Sequence, residues 1–441
     1  MIIPRGAGSF QRAIFGATED PRGDFIKLST GFRFMKKKFR KRIWLTALIV
    51  VLAVMLIIGT SVVSAIAQNT TEKAKSAKSA AVSSVEKKNE KMLDSYVYNA
   101  AHNRSKWLCD LMNLSGLANI KNSSDGKLIY QKAIEKGLIS AGSEREMVLP
   151  LNRLFVAQTT VKALGYPERS VGQLADITKS QKAMDTMAYY GWFIPDDRNK
   201  VYPNARISSE EYEGLLTQLN RYRTLKGKKV LAFGDSIMYG SGNNDEGIAD
   251  LIATKYGMKV MDYSVPGASF GDRVDRSRIC NQIRVADSKN EKADIILLNG
   301  GTNDMGRTPF GEMAEGFDMS ETKEISFTDG FQKALWMLKT NWKGVPIVYT
   351  RVHNMDWDED RIERQYGERA LDIADKWQIK SVNLYNGTMM NTEIKAICDR
   401  YTFVDERYGP EHDSIHPNAL GYAKYYLPLI SEAVMSQFSE E

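Results

Sequence analysis

The chain has 441 residues, 60 Lys+Arg against 54 Asp+Glu, and a formal charge of +6. That is the length of two or three ordinary domains, and 43% hydrophobic residues are enough to bury sizeable cores, which excludes global disorder. Three dispersed cysteines, Cys109, Cys280 and Cys398, with no Cys-x-x-Cys pair, exclude a disulfide-stapled scaffold and a cysteine zinc site. A bond between two of them stays open. Only His102, His353, His412 and His416 are available for histidine chemistry.

A basic balance points to an anionic partner only when it is spread over a folded surface. Here it is local. Residues 1–42 hold eleven Lys/Arg and three acids, a net of +8, so of the total +6 the other 399 residues carry −2. The cluster Lys36-Lys37-Lys38-Phe39-Arg40-Lys41-Arg42 leads directly into residues 43–67, twenty-five residues without a charge. A helix of about 20 apolar residues spans a bilayer core. The positive flank belongs on the cytoplasmic side, so everything after residue 67 is expected outside the cell membrane as a single-pass protein. A second reading is a secretory signal peptide cut after Ala67, at Ala65-Ile66-Ala67, with Met35 as its start. The apolar run exceeds the usual signal core of about 7–15 residues, which favours the anchor. Both readings export the rest of the chain and argue against a nucleic-acid partner.

Residues 68–105 open with Ala, Ser, Lys and Glu, as in Lys73-Ala74-Lys75-Ser76-Ala77-Lys78, and read as a solvated stalk. In residues 106–224 apolar residues return with helical spacing, as at Leu154, Val156, Val161 and Leu164. A weak repeat is present. Ala133-Ile134-Glu135-Lys136-Gly137-Leu138-Ile139 precedes Pro150-Leu151-Asn152-Arg153, and Met187-Ala188-Tyr189-Tyr190-Gly191-Trp192-Phe193 precedes Pro203 and Ile207-Ser208-Ser209-Glu210-Glu211. The offset is 54 residues at the glycines (137 to 191) and 53 at the prolines (150 to 203), a period of stacked helical units. The pattern resembles the S-layer homology module, a helix–loop–helix unit that binds cell-wall polysaccharide in many bacteria. That family opens its second helix with an Ile-Thr-Arg-Ala-Glu-like stretch. Here Leu151-Asn152-Arg153 keeps the Arg, and Ile207-Ser208-Ser209-Glu210-Glu211 keeps the Ile and the last Glu. Members commonly carry three copies against two here. The resemblance implies a cell-wall polysaccharide partner. A helical pattern alone equally suits a domain that packs on its neighbour or spaces it from the wall.

Residues 225–441 alternate apolar runs with helical stretches. Strands are predicted at 230–233, 259–261, 294–298, 346–349 and 379–382, and helices at 246–256, 328–341 and 358–377. Continuous apolar strands separated by helices predict a parallel sheet covered on both faces. Ligands of such sheets bind beyond the carboxyl ends of the strands. There the sequence places Gly234-Asp235-Ser236-Ile237, Val265-Pro266-Gly267-Ala268 and Asn299-Gly300-Gly301-Thr302-Asn303-Asp304, and near the C-terminus Asp413-Ser414-Ile415-His416. A serine on a tight strand-to-helix turn projects its hydroxyl outward. A glycine lets backbone N–H approach a substrate. Histidine titrates near neutrality and suits a general base.

Order and spacing together are similar to the SGNH, or GDSL, hydrolase family, whose four blocks all occur in order. The resemblance implies a flavodoxin-like three-layer α/β/α fold with a parallel sheet, preceded here by the transmembrane helix and the small all-α repeat domain. It implies Ser236 as nucleophile, His416 as base and Asp413 as its orienting carboxylate. It also implies an oxyanion hole of Ser236 N–H, Gly267 N–H and the Asn303 amide. His412 is the rival base. Asp235 and Asp304 are expected to brace their turns. His353 and Asn354, after the fourth strand, are candidate substrate contacts, and Trp357 and Tyr239 are candidate stacking residues. No cluster has metal-ligand spacing and no nucleotide-binding glycine fingerprint follows a strand, so neither metal nor cofactor is expected. The expected function is an exported carboxylic ester hydrolase acting on acyl, chiefly acetyl, esters of a cell-envelope glycan. The alternatives are a lipid or small-ester hydrolase, a glycan O-acyltransferase, and a wall-binding structural protein with a vestigial hydrolase domain.

Overall fold

The computed structural model describes residues 103–438, apart from 124, 144–145, 148, 173, 274–276, 357–359 and 405–411. The basic cluster, the apolar segment 43–67 and the stalk to residue 102 lie outside the described residues. Among those described, no helix is long and apolar enough to cross a membrane, and no group of His, Cys, Asp and Glu could hold a metal ion. The described residues all fall in one compact unit.

The described residues begin with five helices: α1 (Arg104–Ser115), α2 (Gly126–Glu135), α3 (Arg153–Leu164), α4 (Lys182–Tyr189) and α5 (Ser209–Leu225). Asn103, Asp125, Asn152 and Ser208 cap α1, α2, α3 and α5, each side chain accepting a first-turn N–H that would otherwise lack a partner. Both sequence copies fold as helix, left-handed glycine, loop and helix. Gly137 (φ 69°) and Gly191 (φ 67°) supply the reversals.

The second half starts with β1 (Lys229–Phe233), α6 (Ser236–Tyr239), α7 (Ile248–Tyr256), β2 (Lys259–Asp262), α8 (Ile279–Ser288) and β3 (Ile295–Asn299). It continues through α9 (Phe327–Asn341), β4 (Ile347–Arg351), α10 (Asp360–Lys376), β5 (Lys380–Asn383), α11 (Leu384–Gly387) and α12 (Lys395–Tyr401). It closes with β6 (Thr402–Val404), β7 (His412–Pro417), α13 (Ala419–Gly421), a π-helical turn at Tyr422–Tyr426, and α14 (Leu427–Ser436). β1 to β5 form a parallel sheet in the order β2-β1-β3-β4-β5. β3 and β4 are buried along their whole length, and both open on apolar residues. Helices α8, α9 and α10 pack on one face, and α7 and α14 on the other. This is the three-layer α/β/α arrangement of a doubly wound sheet, whose switch point lies between β1 and β3. No apolar run or periodicity marks the antiparallel β6–β7 pair or the π-helical turn.

The helical half and the sheet half share one core. Helix α5 packs on α7, and the Tyr222 ring lies where a Cβ on Gly257 would fall, 2.9 Å away. Tyr256 Oη donates to Gln218 Oε1 at 2.7 Å, and Tyr166 Oη to Lys255 O at 2.6 Å. All three cysteines are buried and unbonded to one another, which closes the question the sequence left open.

Candidate active site

Strand β1 ends at Gly234, where the chain must turn within van der Waals contact of its neighbours. A Cβ at Gly234 would stand 2.7 Å from Met238 Cβ and 2.9 Å from Asn299 O, so only glycine fits. Asp235 then caps α6, its carboxylate accepting from Ile237 N–H at 2.9 Å. Ser236 is the first residue of that short helix and is 9% exposed. Its backbone N–H makes no hydrogen bond among the described residues, as expected at a helix start.

The histidine comes from the far end of the chain, on β7. His416 Nε2 lies 2.7 Å from Ser236 Oγ, and His416 Nδ1 bonds Asp413 Oδ2. A carboxylate only accepts, so Nδ1 carries the proton and Nε2 is left to accept from the serine hydroxyl. The other oxygen, Asp413 Oδ1, accepts from Ile415 N–H at 3.1 Å and His416 N–H at 2.9 Å. Between them Ser414 sits at φ 58°, a left-handed backbone that turns the Asp-x-x-His segment back on itself. The structure thus brings Ser236, His416 and Asp413 into one hydrogen-bonded series.

The remaining predicted groups stand at the ends of β2 and β3. Gly267 has φ +80°, and its N–H is unused among the described residues. Asn303 Nδ2 donates to Ala268 O at 3.0 Å, which ties the two loops together and leaves a second amide hydrogen. Asp304 is wholly buried. It accepts from Phe270 N–H at 2.9 Å, Gly271 N–H at 2.8 Å and Thr308 Oγ1 at 3.0 Å. Burial pushes its pKa up to about 7 against those donors, and burial likewise pushes Asp235 up to about 6. Both carboxyls brace turns, as their positions in the sequence suggested.

One expectation needs correction. His353 is fully buried, so it is no substrate contact. Its Nδ1 lies 2.6 Å from Tyr426 Oη, and its Nε2 is 3.4 Å from Ser414 O. A carbonyl only accepts, so Nε2 carries the proton. His353 is a brace behind the Asp413–His416 segment, aided by Thr392 Oγ1, which donates to the same carbonyl at 2.9 Å. Asn354 pairs with Asn391 through its backbone, and its Oδ1 is enclosed, away from solvent. The residue as a whole is partly exposed, so its contact with substrate stays a proposal. Trp357 lies outside the described residues.

The state of His353 makes a pH prediction. Burial lowers its pKa from 6.5 to about 4. The unfolded chain takes up a proton near pH 6.5 while the fold refuses it until about pH 4, so this group stabilises the fold above 6.5 and the contribution is lost as pH falls toward 4. The cost by pH 4 is roughly 3 kcal/mol. Urea unfolding from pH 7 to 4.5 should show a shallower loss of stability in His353→Gln than in the wild type. Parallel curves would contradict this.

Gln282 on α8 escaped the sequence reading. Its buried amide spans Gly234, accepting from Gly234 N–H at 2.9 Å and donating to Gly234 O at 2.8 Å. It fixes the turn that carries Ser236. A single glutamine in an amphipathic helix gives no signal of this. Tyr422 is similar. Its hydroxyl donates to Ile237 O at 2.8 Å from the π-helical turn.

A hydroxyl, an imidazole and a carboxylate stand in series at the carboxyl edge of a doubly wound sheet, an arrangement suited to a hydrolase. Residues 232–424 match the model of the GDSL-like Lipase/Acylhydrolase family, and the chain therefore carries a GDSL/SGNH lipase–acylhydrolase domain at its C-terminus and is an enzyme of that hydrolase class. No curated protein matches the chain. Among solved structures, a protein from Lactobacillus plantarum is similar at 22% identity, covering 48% of this chain and 96% of that one, with TM-score 0.38. A lipase/acylhydrolase from Enterococcus faecalis is similar at 14% identity over 48% of this chain and 94% of its own, TM-score 0.31. A carbohydrate acetylesterase from Sinorhizobium meliloti is similar at 14% identity over 47% and 98%, TM-score 0.32.

Proposed function

We propose that the protein is an exported serine esterase that removes acyl groups, acetyl foremost, from an ester-bearing glycan of the cell envelope. The observation that carries the esterase chemistry is the Asp413–His416–Ser236 series within the acylhydrolase domain. His416 Nε2 takes the Ser236 proton as Oγ bonds to the ester carbonyl carbon. The carbonyl electron pair moves onto oxygen. Ser236 N–H, Gly267 N–H and the spare Asn303 amide hydrogen serve as its donors, each such donor being worth about 10²–10³ in rate. The C–O bond to the alcohol then breaks, and the leaving alkoxide takes the proton from His416. Water attacks the acyl-enzyme by the same route, releasing the acid and restoring Ser236. Asp413 holds the tautomer and offsets the imidazolium charge.

Export and the glycan rest on sequence. The basic cluster at 36–42 and the uncharged segment 43–67 support a membrane anchor with the catalytic domain outside. The repeats in 106–224 support contact with wall polysaccharide. The test uses the full chain on acetyl esters, long-chain esters and O-acetylated glycans. Acetate should be released from the glycan, with kcat/KM for acetyl at least about tenfold above that for long acyl chains. Preference for long chains would make it a lipase. Transfer to an added glycan acceptor without free acetate would make it an acyltransferase.

A further inference from the structure

The loop after the nucleophile turn is held from two sides. Inwardly, Gly240 N–H and Ser241 N–H both donate to Ser236 O at 3.0 Å. Gly242 then runs against β7 so closely that a Cβ there would stand 2.5 Å from Pro417 O and 2.9 Å from His416 Cβ. Outwardly, the same loop meets the helical half. Arg169 Nε contacts Glu246 Oε1 at 2.8 Å and Oε2 at 2.9 Å, and Arg169 Nη2 also bonds Oε1. Tyr189 Oη donates to Glu246 Oε2 at 2.7 Å. Asn243 Nδ2 closes the network, donating to Tyr189 Oη at 2.9 Å and Glu246 O at 2.8 Å.

The histidine side is tied to the same helical half. Arg400 Nη1 donates to Asp197 O at 2.8 Å, and Arg400 Nη2 bonds Asp196 O. Arg400 O in turn accepts from Asn418 Nδ2 at 3.0 Å, two residues beyond His416. Ser236 and His416 are 180 residues apart in sequence, and the segment Arg169–Asp197 reaches toward both.

A partly exposed ion pair contributes little to folding. Three donors converging on one carboxylate, beside a loop in contact with the catalytic histidine, instead fix a geometry. We propose that Glu246 is a positioning residue for ester hydrolysis: Arg169 and Tyr189 of the helical half hold it, and through it the 240–247 loop, so that Gly242 backs His416 toward Ser236. The helical half is then a working part of the active site rather than a spacer. This rests on the Ser236–His416 reading above.

The test compares full-length wild type with Arg169→Ala, Glu246→Gln and the reciprocal Arg169→Glu/Glu246→Arg, with Lys132→Ala, which removes the surface ion pair to Glu135 on α2, as control. Both single variants should lose about tenfold in kcat, with KM within about twofold and the unfolding temperature little changed. The reciprocal swap should restore part of the loss, as coupled sites do. Lys132→Ala should match wild type. Unchanged kcat in both single variants, or no recovery in the swap, would overturn the proposal. The ring nitrogen NMR signals of His416 give a second readout. If wild type shows no Ser236-dependent hydrolysis, the esterase reading fails, and the clamp is then judged on these signals alone. They should shift in Arg169→Ala, and identical spectra would overturn it.

Discussion

Ser236→Ala should lower ester hydrolysis by about 10⁴–10⁶-fold while leaving the fold intact. The substitution deletes one oxygen and nothing else. The Ser236 backbone N–H, the Asp235 carboxylate cap on Ile237 N–H and the Gln282 amide clasp on Gly234 do not involve the Ser236 hydroxyl and survive. One hydrogen bond to His416 Nε2 is lost, which costs about 0.5–1.5 kcal/mol of stability and only a few degrees in unfolding temperature. Initial rates on p-nitrophenyl acetate with calorimetry on the same samples check both halves. A variant that unfolds would speak to stability alone. A folded variant with near wild-type turnover would remove Ser236 from the chemistry.

Asp413→Asn should cost about 10⁴-fold in kcat, again with little change in fold. The reason is the tautomer. Asp413 Oδ1 accepts two backbone N–H groups, so an asparagine keeps its carbonyl oxygen there and turns its NH₂ toward His416 Nδ1. Nδ1 must then accept, Nε2 must carry the proton, and the imidazole cannot take one from Ser236. Kinetics paired with ring nitrogen NMR checks this. The rate should fall together with a switch of tautomer, and a full rate with the switched tautomer would contradict the assigned role.

Much of the catalytic half was legible because a parallel sheet buried on both faces writes itself as unbroken apolar runs. Val230–Phe233 and the run ending at Leu298 were placed within a residue or so of β1 and β3. The site blocks were legible because the sheet ends demand particular residues: glycine where Met238 and Asn299 crowd the turn, and a left-handed glycine at position 267. Strand β7 was not, since His-Asp-Ser-Ile-His-Pro carries neither an apolar run nor alternation, and its pairing with β6 is tertiary. His353 was misread for a related reason. Its residue type suggests chemistry, whereas its burial beside Tyr426 depends on a π-helical turn that leaves no mark on sequence. The two helical copies were visible from their spacing. Their packing against the Ser236 loop through Arg169, Tyr189 and Glu246 was not, because ionic and hydroxyl contacts between distant segments have no periodicity.

The hydroxyl proposed to attack the ester is that of Ser236. Peptide mass mapping of the full-length protein after treatment with a fluorophosphonate, followed through the loss of ester hydrolysis, tests it. One phosphonyl group is expected, on the peptide containing Ser236, formed in step with inactivation and absent from Ser236→Ala. Inactivation with the label on another residue, or hydrolysis that persists when Ser236 is fully labelled, would contradict it.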